Sequence, residues 1–221
     1  MTDVDFAAAK QEMLRKQLRR RGIQDGRVLA AMAKAPRERF VPAEMRHEAY
    51  ADRALGIDCG QTISQPYIVG LMTQALELTG QEKVLEVGTG SGYQAAILAE
   101  LARELVTIER HARLSQQAQA VLGELGYANI TFAVGDGTLG WAERAPYDRI
   151  TVTAMAAECP PKLFEQLVEG GILVIPLGGY EYQTLQAIRK VGGAPQATVL
   201  SPCRFVPLVG AQGWPQEAEG R

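Results

Sequence analysis

Short apolar runs alternate with helix-length amphipathic stretches along most of this chain. Lys83–Val87, Leu105–Glu109, Ile130–Val134, Asp148–Thr153 and Gly171–Leu177 are mostly apolar at successive positions, the pattern of strands buried on two faces. Between them, Tyr93–Leu101, Ala112–Leu125 and Pro160–Leu167 carry apolar residues at helical spacing, and Gly126 stops the second. Strands alternating with helices predict a parallel sheet covered on both faces, a doubly wound α/β fold. After Leu177 the helices cease. Thr184–Lys190 and Arg204–Val209 read as two strands with a glycine-rich connection, hence an antiparallel C-terminal strand pair. The expected sheet has about six or seven parallel strands plus this antiparallel end.

Helices come first in the chain. Residues 6–21 place Met13, Leu14 and Leu18 on one side and Arg15, Lys16, Arg19, Arg20 and Arg21 on the other, and Gly22 ends them. The basic side reads as a solvated helix face. Asp25 is placed to cap a second helix, Val28–Lys34, which Pro36 stops. Residues 1–56 are thus a small N-terminal helical subdomain and lead-in. Residues 57–210 form the α/β domain, and residues 211–221 are a polar tail expected to be disordered.

Composition narrows the class. With 221 residues and 47% apolar content, the chain can bury one sizeable core. A net charge of -2 argues against a dedicated nucleic-acid binder. Cys59, Cys159 and Cys203 are isolated, as expected of a reducing, cytoplasmic compartment. Two histidines and no C-x-x-C pair give no reason to expect a metal. The first residues lack the apolar stretch of a signal peptide, and no apolar run is long enough to span a bilayer, so no membrane association is expected.

The chemistry concentrates after Lys83–Val87. Glu86 is followed by Gly88, Gly90 and Gly92 at alternate positions, then by the helix from Tyr93. Strand, glycine turn and helix is the nucleoside- or phosphate-loop arrangement of doubly wound folds. A dinucleotide site has G-x-G-x-x-G and a Walker loop has a lysine; this turn has neither. The spacing resembles the S-adenosylmethionine loop of class I methyltransferases. Glycines let the backbone approach the ligand, and Glu86 supplies a carboxylate for its ammonium group. Such turns also occur simply to pack helix on sheet.

Ligands of these sheets bind beyond the carboxyl ends of the strands. One strand ends in Glu109, where an acidic residue would hold a ribose diol. The next runs into Gly135-Asp136-Gly137, where a carboxylate can accept from an adenine amino group. Each alone could be a helix cap, Asp136 especially. Together with Glu86 they point to an adenosine-containing ligand, and a glycine loop without a basic residue suits a ligand without phosphates. Upstream, Gly60–Tyr67 is a polar loop running into a helix, Ile68–Leu78. Free N–H groups at a helix N-terminus favour a carboxylate. Ser64 either caps that helix or serves the chemistry.

Several segments then fall in one order: Gly60-Gln61-Thr62-Ile63-Ser64-Gln65-Pro66-Tyr67, Glu86-Val87-Gly88-Thr89-Gly90-Ser91-Gly92-Tyr93-Gln94, Gly135-Asp136-Gly137-Thr138, Ala145-Pro146-Tyr147-Asp148 and Arg204-Phe205-Val206-Pro207-Leu208. With Arg21-Gly22-Ile23 and Arg39-Phe40-Val41-Pro42 they resemble the bacterial protein-L-isoaspartate O-methyltransferases, from about Met13 to Leu208. The Thr62–Tyr67 segment is the specific part, because methyltransferases in general lack it.

The resemblance implies a Rossmann-like class I methyltransferase sheet. It implies methyl transfer from S-adenosyl-L-methionine to the α-carboxylate of L-isoaspartyl residues in damaged proteins. The ester then closes to a succinimide without the enzyme, which starts repair. Ser64 is the implied active-site residue. Ile63, Glu86, Gly88, Gly90, Gly92, Glu109, Asp136 and Gly137 are the implied cofactor positions. Thr62, Gln65, Val206, Pro207 and Leu208 are the implied substrate positions. The implied partners are isoaspartyl-containing proteins and peptides, taken by a monomer.

Residue chemistry agrees. A carboxylic acid with a pKa of about 3.5–4 is already ionised at neutral pH. It needs no general base, so Ser64 is expected to position it and not to form a covalent intermediate. Asp58-Cys59, Met155-Ala156-Ala157 and Cys203 depart from the family pattern; the first two lie near the expected site, which loosens the expectation about substrate more than that about cofactor. Cys59 reads as a small buried hydrophobe in preference to a redox-sensitive thiol. Two other readings stay open: an S-adenosylmethionine enzyme with a small-molecule acceptor, and a cofactor-binding regulatory or RNA-associated protein using the basic helix face.

Overall fold

The computed structural model describes residues 5–216. Two short strands, β1 (Leu55–Gly56) and β2 (Thr62–Ile63), pair antiparallel with each other. The main sheet holds β3 (Lys83–Val87), β4 (Glu104–Glu109), β5 (Ile130–Val134), β6 (Tyr147–Val152), β7 (Leu167–Gly178), β8 (Gln183–Val191) and β9 (Ala194–Cys203), in the spatial order β5-β4-β3-β6-β7-β8-β9. The helices are α1 (Phe6–Glu12), α2 (Gly26–Lys34), α3 (Pro66–Ala75), α4 (Tyr93–Leu101), α5 (Ala112–Glu124) and α6 (Pro161–Glu165).

The sheet is mostly parallel, with an antiparallel end, as the alternation predicts. Five strands, β3 to β7, are parallel, fewer than the six or seven expected. The last strand is Ala194–Cys203 and not Arg204–Val209. Gly192 and Gly193, at φ 59° and 76°, make a two-residue hairpin turn straight out of β8. β9 escapes the apolar pattern because it is an edge strand, largely exposed, and carries Pro195 and Pro202, which only an edge tolerates. The 204–209 segment instead returns across the sheet to the end of β6, where Met155 N donates to Val206 O at 2.8 Å and Leu208 N to Met155 O at 2.7 Å.

Successive residues alternate between two cores. Val84 and Leu105 point to one face, Leu85 and Val106 to the other. The first core also holds Met13, Leu18, Met32, Met72 and Ile97, each at most 1% exposed. The N-terminal helices therefore share a core with α3 and α4, each such side chain contributing about 1.5–3 kcal/mol. Residues 13–18 wind as a wide π turn, with Arg19 N bonded to Leu14 O five residues back. Met13, Leu14 and Leu18 are all buried along that winding, so the apolar spacing of the segment is met by a wide turn and not by one continuous α-helix to Arg21. Gly22, at φ 94°, ends it, and Asp25 Oδ1 caps α2 by accepting from Arg27 N at 2.8 Å.

The turn into β3 is organised by Glu82, 7% exposed, whose carboxylate accepts from Thr79 N (2.8 Å), Thr79 Oγ1 (2.7 Å), Gly80 N (3.0 Å) and Gln81 N (3.1 Å). Burial acts to raise its pKa, but the donors outweigh it and hold the group below the usual glutamate value. A depressed folded-state pKa stabilises above the unfolded value of about 4.3 and loses that contribution as pH falls through the folded value. Glu82→Ala is expected to cost about 1–3 kcal/mol at pH 7, and the cost should shrink below about pH 4. Urea unfolding at both pH values checks this; a cost that does not change with pH would mean the charge is not what holds the turn.

Residues 211–216, assigned from the sequence to the disordered tail, pack back on the domain. Ala211 N donates to Asp136 Oδ2 at 2.7 Å, Gln212 N to Thr138 Oγ1 at 3.0 Å, and Trp214 Nε1 to Met155 O at 3.1 Å. Residues 217–221 lie outside the described residues. Among the described residues, no helix is long and apolar enough to cross a membrane.

Candidate active site

The strand order reverses between β3 and β6, and the carboxyl ends of β3, β4 and β6 open there into a cleft. Gly88 lies at its floor with φ 94°. A Cβ there would sit 2.3 Å from Thr153 Oγ1, which donates to Gly88 O at 2.7 Å, so only glycine fits. Gly90 follows, with its N–H held by Glu109 Oε2 at 2.9 Å. Glu109 Oε1 accepts from His111 N at 2.9 Å. A carboxylate has about four acceptor sites, so Glu109, 5% exposed and lining the cleft, keeps acceptor capacity for a diol. Gly137 closes the floor, and Val87, Ile108 and Leu208 give apolar walls. Glycine backbone, apolar walls and one acceptor-only carboxylate fit an adenosine-containing ligand.

Not all the sequence-derived positions meet in this cleft. Thr62, Ile63, Ser64, Val206, Pro207 and Leu208 line it beside Gly88, Gly90, Glu109 and Gly137. Glu86, Gly92, Asp136 and Gln65 do not. Glu86, expected beside a ligand ammonium, lies under the glycine loop at 0% exposure. Thr107 Oγ1 donates to its Oε2 at 2.6 Å and sits 2.6 Å from Thr89 Oγ1 in the loop above. Burial pushes Glu86 up to about 8, against the pull of the Thr107 hydrogen bond and with the Glu109 charge adding to the rise. Gly92 is a packing glycine: a Cβ would lie 3.0 Å from Ala118 Cβ and 3.2 Å from Leu122 Cδ1 of α5. Asp136 caps the turn at Gly137, Oδ1 accepting from Thr138 N at 2.9 Å, while Oδ2 holds Ala211. Gln65 lines a second groove instead and ties the loop to Asp52, Nε2 donating to its Oδ1 at 2.8 Å.

This second groove opens between Arg21, Tyr67 and the segment Ser201–Phe205. Thr62 and Ser64 line both spaces and form the partition between them. Ser64 is not a helix cap. Pro66 opens α3, Gln65 holds the N-cap position, and no side chain caps it. Arg21 of the basic helix face belongs to this groove, paired with Asp52 at 3.1 Å and lying over the Tyr67 ring at 3.6 Å.

The departures from the family pattern sit mostly off the cleft. Met155 is a buried anchor for the 204–209 segment, and buried Ala156 bonds to the end of β7, its N donating to Pro176 O at 3.1 Å. Cys59 is exposed, not buried, because it tips the turn between β1 and β2 in a left-handed conformation, φ 57°. Cys203 is half-buried beside the second groove, and burial pushes its thiol up to about 11.

Three contributors escaped the sequence reading. Thr107 interrupts an apolar strand, which is the signal for a buried polar partner, and Thr89 stands inside the glycine motif. Arg37 sits in a segment read as irregular, yet Ala35, Phe40 and Val41 around it are all buried.

The profile of the family described as "Protein-L-isoaspartate(D-aspartate) O-methyltransferase (PCMT)" matches residues 8–213. A protein-L-isoaspartate O-methyltransferase of Koribacter versatilis is 54% identical over 209 residues, 95% of this chain and 94% of its own length. One from Dictyoglomus turgidum is 53% identical over 97% of this chain and 99% of its own. A Plasmodium falciparum structure described as a putative protein-L-isoaspartate O-methyltransferase in complex with S-adenosyl-L-homocysteine superimposes with a TM-score of 0.78 at 25% identity, covering 91% of this chain and 98% of that one. The glycine cleft, the serine partition and the matched length agree: this chain belongs to the protein-L-isoaspartate O-methyltransferase family, the S-adenosylmethionine-dependent enzymes of isoaspartate repair.

Proposed function

We propose that the cleft holds S-adenosyl-L-methionine and that the second groove takes a peptide whose L-isoaspartyl α-carboxylate meets the methyl donor at Ser64. The observation that carries this reading is the shared wall: Thr62 and Ser64 are the residues common to both spaces. When bound, S-adenosylmethionine supplies a methyl group on a sulfonium centre. Glu109 would hold its ribose diol, and the backbone of Gly88, Gly90 and Gly137 would admit it closely. The acceptor carboxylate is ionised at neutral pH, so the chain has no proton to remove. Its work is to orient that carboxylate through the Ser64 hydroxyl and loop N–H groups and to exclude water. Val206, Pro207 and Leu208, expected from the sequence to meet the substrate, line the cleft and not the second groove, so they would wall the donor side.

In this reading the enzyme acts as a cytoplasmic monomer without a metal; the unpaired state of Cys59, Cys159 and Cys203 supports a reducing compartment. The test is methyl transfer from labelled S-adenosylmethionine to an isoaspartyl peptide, with its aspartyl twin as control. Base-labile label on the isoaspartyl peptide alone is the expected result. Label on neither peptide, with the cofactor still bound, would defeat the reading and point to a small-molecule acceptor.

A further inference from the structure

Arg37 is fully buried, at 0% exposure, yet among the described residues no carboxylate pairs with it. Its Nε donates to Ala49 O at 2.6 Å and its Nη2 to Ser64 O at 2.7 Å. Its guanidinium carbon lies 4.7 Å over the Tyr93 ring, and Phe40 packs on the same ring with centroids 5.6 Å apart. Tyr93 is the first residue of α4, directly after the glycine loop, and lines the cofactor cleft. One planar group therefore joins the lead-in loop, the Ser64 loop and the start of α4.

Burying a cation without a counter-charge is unfavourable, and a well-packed apolar side chain of similar volume would be less costly. Stability alone does not account for an arginine here. A guanidinium has donors in a fixed fork and a flat face that stacks, so it sets the angle between two carbonyls and a ring at once. Methyl transfer needs that kind of constraint, because the acceptor side and the donor side must be held in line, and a shift of about 1 Å can cost about 100-fold in rate.

We infer that Arg37 is a positioning residue for methyl transfer, its guanidinium fixing the Ser64 loop relative to the glycine loop across the Tyr93 ring. The inference rests on the reading of Ser64 given above. Arg37→Lys keeps the charge but not the fork, so it cannot span both carbonyls and stack. The experiment compares wild type, Arg37→Lys, Ser64→Ala and the double variant in the full chain. It measures thermal stability, calorimetric affinity for S-adenosylhomocysteine, and kcat and KM on an isoaspartyl peptide.

Arg37→Lys is expected to keep cofactor affinity within about two-fold and to lower kcat about ten-fold. In the Ser64→Ala background the same change should lower kcat less than about two-fold, because the hydroxyl it aims is gone. An equal loss in both backgrounds, or a loss that follows cofactor affinity, overturns the inference. So does full kcat in Arg37→Lys when Ser64→Ala is slow. Full kcat in Ser64→Ala overturns the reading of Ser64 and this inference with it. Should Arg37→Lys not fold, Arg37→Gln, which keeps an amide NH2 but neither the charge nor the fork, carries the same expectations.

Discussion

Replacing Ser64 with alanine is expected to lower kcat/KM for an isoaspartyl peptide by roughly 10–100-fold. A hydrogen bond to a charged group contributes about 1.5–3 kcal/mol, and each 1.4 kcal/mol is a factor of about ten. Ser64 stands in the partition between cleft and groove, the place where an acceptor carboxylate would meet the donor. It does not cap α3, so the fold should lose no more than about 0.5 kcal/mol. Cofactor affinity should hold, because the proposed cofactor contacts, Glu109 and the glycine backbone, lie elsewhere in the cleft lining. Ser64→Thr keeps a hydroxyl and should recover part of the rate. Steady-state kinetics with calorimetric cofactor binding separate these effects. An alanine variant at full kcat/KM would show that loop N–H groups alone orient the acceptor.

Glu86→Gln is expected to change how stability depends on pH. Burial raises Glu86 from 4.5 to about 8 in the fold. Between those values the unfolded chain is ionised while the folded chain keeps the proton. The group's contribution is fully present below about pH 4.5 and is lost, at about 1.4 kcal/mol per pH unit, as pH rises toward 8. Glutamine does not titrate. From pH 5.5 to 7.5 the variant should gain on wild type by on the order of 3 kcal/mol. The amide oxygen of the substituted side chain can still accept from Thr107, so the contact beneath the glycine loop survives. Urea unfolding of both proteins across that range is the measurement. Parallel curves would mean that Glu86 is ionised in the fold, with a charge that reaches the cleft after all.

The Glu86 case marks where residue pattern runs out. A carboxylate two places before a glycine loop has the same sequence signature whether it faces a ligand or lies under the loop. What separates the two is the side of the sheet it points to and whether Thr107 on the neighbouring strand comes within 2.6 Å, and both depend on strand register. Glu109 and Asp136 diverge for a similar reason. Both follow strands at their carboxyl ends, but Glu109 faces the cleft, whereas Asp136 is engaged by Thr138 and by Ala211, a residue 75 positions away.

Apolar periodicity was enough for the strands β3 to β8 and the helices between them, because burial on two faces leaves a local signal at each position. The glycine spacing pointed to the cofactor class, because close backbone approach leaves few residue choices, and the Thr62–Tyr67 segment carried the resemblance to the family that residues 8–213 match. The edge strand β9 was lost to that reading, since one-sided contact and solvent exposure impose no apolar alternation. Folding alone decided that Ser64 divides two spaces, that Ala211 closes back on Asp136, and that Arg37 bridges the Ser64 loop to Tyr93. Each is a contact between segments far apart in the chain, made by groups whose local composition is the same with or without it.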